Sequence, residues 1–392
     1  MMLGVLLARA GVPVIVLEKH ADFLRDFRGD TVHPSTLEVM YELGALDQFL
    51  ALPHSELREI RGVIDNEKVT IADFSHLPVH CPFIAMVPQW DLLTFLTNLA
   101  RLRYRTFRLM MRAEVIELIE ENGRVAGVRV STPDGVREIR AHLVVGADGR
   151  HSIVRRLARL AVEDVGAPID ALWMRLSKRP DDDETAAFGN IRGGRIFVMF
   201  DRGDYWQCAY VIRKGGFDEL KRAGLEAFQA GIAEVVPLFR DRVHELASWD
   251  DVKLLTVKID RLSQWHRPGL LCIGDAAHAM SPVGGVGINL AIQDAVAAAN
   301  ILAGPLQHGA PSVAELHAVQ RRRELPTRLT QAMQVFVQNQ VLSPALKKHP
   351  SRGMSLVLAL MRRYPKLRRI PARVVGIGIR PEHVRSPEIR GD

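Results

Sequence analysis

Hydrophobic and polar positions divide the chain into segments of different period. Residues 2–10 form an apolar helical stretch closed by Gly11, and residues 13–17 are a nearly unbroken apolar run that ends at Glu18. Such a run predicts a strand buried on both faces, as in a parallel sheet. Residues 22–44 carry Arg28-Gly29-Asp30 and then a helical pattern with Ser35 or Thr36 near its cap. Residues 55–87 break into short strands with turns at Asp65-Asn66 and His76-Leu77-Pro78, and Pro88-Gln89-Trp90-Asp91 opens a helix. Strand signals follow at 114–119, 125–131 and the apolar 143–145, with Pro133-Asp134-Gly135 turning the second towards the third.

The pattern changes at residue 166. Residues 170–176 read as a strand containing Trp173. The alternating stretch 195–200 meets 205–212 across Asp201-Arg202-Gly203-Asp204, a hairpin signal. Two helices around Pro237 fill 217–247, and 253–259 returns as a strand. The apolar run 269–273 is again a buried strand, stopped by Gly274-Asp275. After a turn rich in Gly, Ser and Pro, Gly287 opens an alanine-rich helix that runs to about Ala303, where Gly304-Pro305 ends it. Residues 313–340 form a long amphipathic helix. The stretch 341–380 mixes apolar side chains with Lys347, Lys348, Arg362, Arg363, Lys366, Arg368, Arg369 and Arg373. Such a run reads as a solvated helix face, with peripheral contact to a membrane surface as the other reading. The chain has no internal repeat and no low-complexity linker.

Composition narrows the class. With 392 residues, 47% hydrophobic and 25% charged, the chain can build two domains or one composite domain with a large core. The net charge of +7 would suit nucleic acid, but aromatic content is 6% and no nucleic-acid module is present. An anionic dinucleotide also accounts for positive charge. Cys81, Cys208 and Cys272 are few and lie in apolar contexts, which predicts buried thiols in a reducing, cytoplasmic setting and neither disulfides nor a metal site. The first twenty residues lack a basic leader, Arg9 interrupts the apolar run, and Glu18 closes it without a small-residue cleavage site, so they do not read as a signal peptide. No apolar stretch is expected to span a membrane.

The segment 271–294, LCIGDAAHAMSPVGGVGINLAIQD, joins a strand, an acid, a glycine loop and a helix N-terminus. An acid at a strand end can accept hydrogen bonds from a polyol. Glycines let the backbone approach a flat ligand, and a helix N-terminus favours negative charge. A flavin has all three features. The motif GDAAHAMSPVGGVGINLAIQDA closely resembles the second flavin motif of the FAD-dependent aromatic hydroxylases, the p-hydroxybenzoate hydroxylase-like flavoprotein monooxygenases. By that resemblance Asp275 holds the ribityl chain, Pro282 packs beside the isoalloxazine, and Gly287, Ile288 and Asn289 contact its pyrimidine end. His278 is expected to pack within the loop rather than act as a base.

Other matches extend the resemblance. Glu18 stands where an acid binds the adenosine ribose in a dinucleotide fold. Arg28 matches an arginine near the FAD pyrophosphate, with an ion pair to Asp26 or Asp30 as the alternative. Gln89 matches a glutamine that hydrogen-bonds FAD. Gly146-Ala147-Asp148-Gly149-Arg150-His151-Ser152 resembles the family's DG motif, in which Asp148 and Gly149 meet FAD and shape the approach of NADPH, and Arg155 supports the loop. The family's first strand and G-x-G-x-x-G loop are not in this sequence, Gly4 being a later helix glycine, so the parallel sheet is expected without that strand and FAD binding weakened.

The expected fold is therefore α/β. A Rossmann-like FAD-binding parallel sheet (residues 1–54, 86–165 and 263–330) is interleaved with a mostly antiparallel substrate sheet (55–85 and 166–262), and 331–392 is a helical C-terminal segment. Trp173, Trp206 and Tyr210 read as core residues ahead of pocket residues. The resemblance implies hydroxylation of a small aromatic or related ring by NAD(P)H and O₂ through a flavin C4a-hydroperoxide. Since the cofactor would carry that chemistry, no catalytic side chain is singled out. Two alternatives stand beside it: another FAD-dependent oxidoreductase (oxidase, dehydrogenase or halogenase), and a non-catalytic ligand-binding protein.

Overall fold

The computed structural model describes residues 1–24, 30–182, 189–346 and 352–389. α1 (Met2–Arg9) buries nearly all of its residues and is closed at Gly11, whose φ of +75° a side chain would resist. β1 (Val14–Glu18) follows, then β2 (Thr31–Val32), α2 (Pro34–Glu42) and α3 (Leu46–Leu50). Ser35 and Thr36 do not cap α2. His33 precedes it and Pro34 starts it, so both hydroxyl residues fall inside the first turn. β3 (Ser55–Leu57), β4 (Glu59–Ile64), β5 (Glu67–Asp73) and β6 (Ile84–Met86) lead into α4 (Gln89–Arg103) and β7 (Phe107–Met111). β7 lies parallel to β1, with Val14 opposite Phe107.

β8 (Glu114–Glu121), β9 (Arg124–Thr132) and β10 (Gly135–Arg140) form a separate antiparallel sheet. The turn after Thr132 thus leads to β10 and not to the apolar strand beyond it. β10 is almost wholly exposed, so no hydrophobic pattern marks it. β11 (Val144–Gly146), α5 (Ile153–Leu157) and β12 (Val162–Asp164) complete this half of the chain.

The next stretch builds a seven-stranded sheet. β13 (Ile169–Ser177), β14 (Gly189–Arg192), β15 (Arg195–Asp201) and β16 (Tyr205–Arg213) are followed by α6 (Phe217–Ala223), α7 (Leu225–Val235) and β17 (Lys253–Leu255). The order is β17-β13-β16-β15-β14-β4-β5, antiparallel except where β14 meets β4. The helices part at Gly224, with φ +95°, and not at Pro237, which starts a short 3₁₀ turn. The strand expected over 253–259 ends at Leu255. Alternation gives the sheet two faces. Leu172, Met174, Phe197, Met199, Trp206, Cys208 and Tyr210 pack with Phe228, Ile232 and Phe239 behind the sheet.

β18 (Asp260–Leu262) pairs with β12, and β19 (His266–Arg267) with β20 (Leu270–Cys272). β20 runs parallel to β11, Val144 opposite Leu270. Among the described residues the parallel ladders are β1–β7, β11–β20 and, within the seven-stranded sheet, β14–β4. α8 (Gly287–His308) passes through Gly304 and Pro305 and ends one turn later at His308. A proline this near a helix end removes one hydrogen bond without stopping the chain. By length and composition alone the span Val283–His308 could cross a membrane, contrary to the expectation that none could, but it is mostly buried in the core. α9 (Val313–Val337) runs into a π-turn at Gln338–Leu342, then α10 (Ser343–Leu346), α11 (Arg352–Arg363) and α12 (Arg369–Gly376). Lys347 and Lys348 of the basic run lie outside the described residues, whereas Arg362, Arg363, Lys366, Arg369 and Arg373 are exposed as expected. Residues 380–389 then return over α8, where Asn300 Oδ1 accepts from the amides of Arg385 and Ser386 at 2.8 and 2.9 Å.

Candidate functional site

The carboxyl ends of β1 and β11, the loop before α8 and the free face of the seven-stranded sheet enclose one cavity of about 2880 Å³. That exceeds the volume of a pocket for one small ligand, roughly 300–1000 Å³. Glu18, Gln89, Asp148, Gly149, Asp275, Pro282, Gly287 and Ile288 all line it. These positions span most of the chain, so the fold brings together eight of the ten residues singled out from the sequence. Arg28 lies outside the described residues. Asn289 is placed differently, beneath the loop.

The loop is built from Gly274 onward. Gly274, at φ +57°, begins a 3₁₀ turn that carries Asp275 to the cavity edge. Asp294, on the second turn of α8 and fully buried, fixes this turn. Its carboxylate accepts from the Gly274 amide at 3.0 Å, from His278 Nε2 at 2.6 Å and from Arg323 Nε at 3.0 Å. Burial alone would raise the Asp294 carboxyl, but His278, Arg323 and the Gly274 amide together hold it below the usual carboxylate range. His278 is thus a structural partner, in agreement with the sequence reading.

Pro282 opens a second short turn. Gly284 and Gly285 follow at φ +80° and +64°, and a Cβ on Gly285 would lie 2.6 Å from Thr31 Oγ1. The loop can take this path only with glycine at that position. Gly287 starts α8, so the helix amides point back into the cavity. Asn289 locks the arrangement from below. Its Oδ1 accepts from the His33 amide at 2.9 Å and from Thr36 Oγ1 at 2.7 Å, and its Nδ2 donates to Thr31 O at 3.1 Å. His33 itself donates from Nδ1 to Val375 O at 2.8 Å, and burial pushes its imidazole down to about 4.

On the opposite wall Asp148 spends its carboxylate on the next helix. It accepts from Ser152 Oγ and from the amides of Ile153 and Val154 at 2.7 and 3.1 Å, which caps α5. Gly149, at φ +85°, has open space above its Cα. Arg155 supports this wall through a buried pair with Asp260, at 3.0 and 3.2 Å. Cys272, behind it, is buried and its thiol is pushed up to about 12 by burial.

The sheet contributes an apolar floor. Ala171, Trp173, Val198, Phe200, Ala209 and Val211 face the cavity, with Trp173 and Phe200 stacked at 6.0 Å. Trp173 is therefore a pocket residue and not the core residue expected, while Trp206 and Tyr210 lie on the far face as expected. At the rim Arg202 reaches across from the turn after β15 to Asp30, both side chains nearly covered, and its Nε donates to Gln207 Oε1 at 3.0 Å. Burial raises the Asp30 carboxyl while Arg202 opposes the shift. Sequence reading missed this pair. In the sequence Asp30 reads only as a partner for Arg28, and Arg202 only as part of a hairpin turn.

These features fit FAD. A carboxylate at the cavity edge, two left-handed glycines and a helix N-terminus suit a polyol, a flat ring and the negative charge that ring takes on reduction. Among the described residues no group of His, Cys, Asp and Glu could hold a metal ion.

Comparison with known proteins agrees with the geometry. The family described as "FAD binding domain" matches residues 1–333. The 6-methylpretetramide 4-monooxygenase of Streptomyces rimosus is 32% identical over 343 residues, 87% of this chain and 81% of that protein. The chain spans 60% and 59% of the length of two other curated relatives. Among solved structures, the OxyS anhydrotetracycline hydroxylase from Streptomyces rimosus superposes with a TM-score of 0.75 at 23% identity, over 96% of this chain and 74% of that one. The PqsL protein of Pseudomonas aeruginosa in complex with 2-aminobenzoylacetate gives 0.74 at 22% identity, over 90% of this chain and 95% of that one. Both structural likenesses speak to the fold.

Proposed function

The chain belongs to the FAD binding domain family of FAD-dependent aromatic monooxygenases, and on that premise we propose that it hydroxylates a flat, electron-rich ring with NAD(P)H and O₂. The observation that supports this most directly is the shared cavity: the loop at 281–288 and the apolar sheet floor face one another across it. The reaction balances as ring–H, O₂, NAD(P)H and a proton going to ring–OH, water and NAD(P)⁺. FAD, held by these residues, would supply the redox chemistry between NAD(P)H and O₂.

The protein's own residues bind and orient. Asp275, in the middle of the 3₁₀ turn, would hold the ribityl hydroxyls, and Glu18 the adenosine ribose. The amides at the start of α8 would favour the anionic reduced ring. The Trp173–Phe200 stack and the small Ala171 and Ala209 leave an apolar slot suited to a polycyclic substrate. The open space at Gly149 would admit the nicotinamide. The names of the tetracycline-type relatives favour a fused-ring phenolic substrate. The three free, buried cysteines suit a reducing, cytoplasmic setting.

The test is anaerobic mixing of the FAD-loaded protein with NADPH or NADH, with and without a polycyclic phenol, followed by oxygen. Bleaching of the flavin that a phenol accelerates, and a product heavier by one oxygen atom, are expected. Turnover that yields hydrogen peroxide and no oxygenated product with any ring would make the protein an oxidase instead.

A further inference from the structure

The inward face of α9 is polar. Gln320, Arg323, Thr327, Gln331 and Gln334 are buried along one stripe, and Gln338 continues it into the π-turn. Their spacings of three and four residues keep them on one side of the helix. The glutamines act as surrogate backbone for the segment 260–283, which runs beside α9. Gln320 Oε1 accepts from the Trp265 amide at 3.0 Å while its Nε2 donates to Ser263 O at 3.0 Å. Gln331 Nε2 donates to Asp260 O and Ala279 O at 2.9 and 3.1 Å. Gln334 makes the fullest set: Oε1 accepts from the Ser281 amide at 3.1 Å, and Nε2 donates to Ser281 O and Val283 O, both at 2.9 Å. Gln338 Nε2 adds a bond to Ser281 Oγ.

Ser281, Pro282 and Val283 line the cavity, and Gln334 grips the residue before the proline and the residue after it. The helix end that carries Gln334 also reaches the cavity, through Val337, Val341 and Leu342, where the π-turn widens the coil. We infer that Gln334 is a positioning residue that sets the Ser281–Pro282–Val283 turn, and with it the face offered to the flavin ring. This inference rests on the FAD reading above. Gln320 performs the same bidentate service at the other end of the stripe, where neither it nor Ser263 and Trp265 line the cavity, and so provides an internal control.

The experiment compares Gln334→Met and Gln320→Met, which keep side-chain length and remove the hydrogen bonds. Hydrogen exchange over residues 279–286 is measured in the flavin-free proteins, and FAD affinity and the visible flavin spectrum in the loaded ones. Q334M is expected to speed exchange of the Ser281 amide by about 10-fold, since an amide that loses its acceptor is open to solvent sooner. It is also expected to raise the FAD dissociation constant by about 10-fold and to alter the shape of the flavin bands. Q320M is expected to change none of these and only to lower the melting temperature. Unchanged FAD affinity and spectrum in Q334M, or an equal effect of Q320M on FAD, would overturn the positioning role. If the unsubstituted protein takes up no FAD, the flavin reading itself fails, and the exchange comparison alone decides: unaltered exchange at Ser281 in Q334M overturns the inference. Should Q334M not fold, Gln338→Met, which loses only the bond to Ser281 Oγ, carries the same comparison.

Discussion

α8 and α9 lie on either side of the loop at 274–286 and bury opposite kinds of surface. α8 turns Leu290, Ile292, Val296, Leu302 and a run of alanines into the core, with Asn289, Gln293 and Asp294 as its buried polar residues. α9 buries Leu316 and Val319 near its start and from there on Gln320, Arg323, Pro326, Thr327, Thr330, Gln331 and Gln334. Its large apolar residues Leu325 and Leu329 point outward, at 53% and 43% exposure, while the exposed Phe336 lines the cavity. The helix is amphipathic but inverted. The difference separates two jobs. Apolar burial is non-directional and holds a helix in the core. Buried amides are directional, and they fix the path of a backbone that has few ladder partners of its own.

The largest effect is expected where the two helices meet. Arg323 of α9 joins Asp294 of α8 and also reaches Glu382, at 3.3 Å, from a nearly fully buried position. Arg323→Met would leave the buried Asp294 without its arginine, at a cost of about 3–5 kcal/mol, while Glu382 keeps its pair with Arg322. Chemical denaturation should show that loss, together with weaker FAD binding through the Gly274 turn. Loss of less than about 1 kcal/mol would mean that His278 alone holds Asp294.

A second prediction concerns His33, tied to both sides of the loop by Asn289 and Val375. Its folded-state pKa of about 4 lies below the ordinary value of 6.5. Between those values the unfolded chain binds a proton that the folded one refuses, so stability falls as pH drops through that window and levels off below it. The full span amounts to about 3 kcal/mol by the conversion of 1.36 kcal/mol per pKa unit. Denaturant midpoints from pH 7 to pH 4 should show the slope, and His33→Gln should flatten it.

How much of this was legible in the sequence depends on whether the cause is local. The strand, acid and glycine loop at 270–287 could be read because Gly284 and Gly285 are dictated by their own backbone, and Glu18 and Asp275 stand at strand ends. The hairpin of β15 and β16 was legible from its alternation. β10 was not, because Gly135–Arg140 is solvated and carries no apolar signal. Amphipathicity revealed α9 as a helix but not its orientation: which face turns inward depends on the backbone groups of Asp260, Ser263, Trp265, Ala279, Ser281 and Val283 that its glutamines bind, which the helix pattern does not contain. The Arg202–Asp30 pair is equally a product of tertiary approach, its members lying 172 residues apart.

A third, smaller effect separates two carboxylates at the cavity. Asp148 is committed to the cap of α5, whereas Asp275 stands at the turn beside the proposed ribityl site. Asp275→Ala should weaken FAD by about 1.5–3 kcal/mol, roughly 10- to 100-fold. Asp148→Ala should chiefly cost the cap, about 1 kcal/mol of stability. Titrating FAD into both variants sets the order, and equal affinities would remove Asp275 from the site.

The smallest expected effect bears most directly on the inversion of α9. Leu329 is substantially exposed, so Leu329→Gln removes little buried apolar area and replaces one good helix former with another. Its change in stability should fall within about 0.5 kcal/mol. Gln331 lies two residues further on, about 200° around the helix at 100° per residue, and faces the loop. Gln331→Leu would leave the carbonyls of Asp260 and Ala279 without the amide they share, at about 1–3 kcal/mol. On this helix, then, making an apolar residue polar should be nearly neutral and making a polar residue apolar should be costly. Paired denaturation curves for the two variants decide it. If Leu329→Gln proves the costlier change, the outward stripe is covered in solution and α9 is not inverted in the working protein.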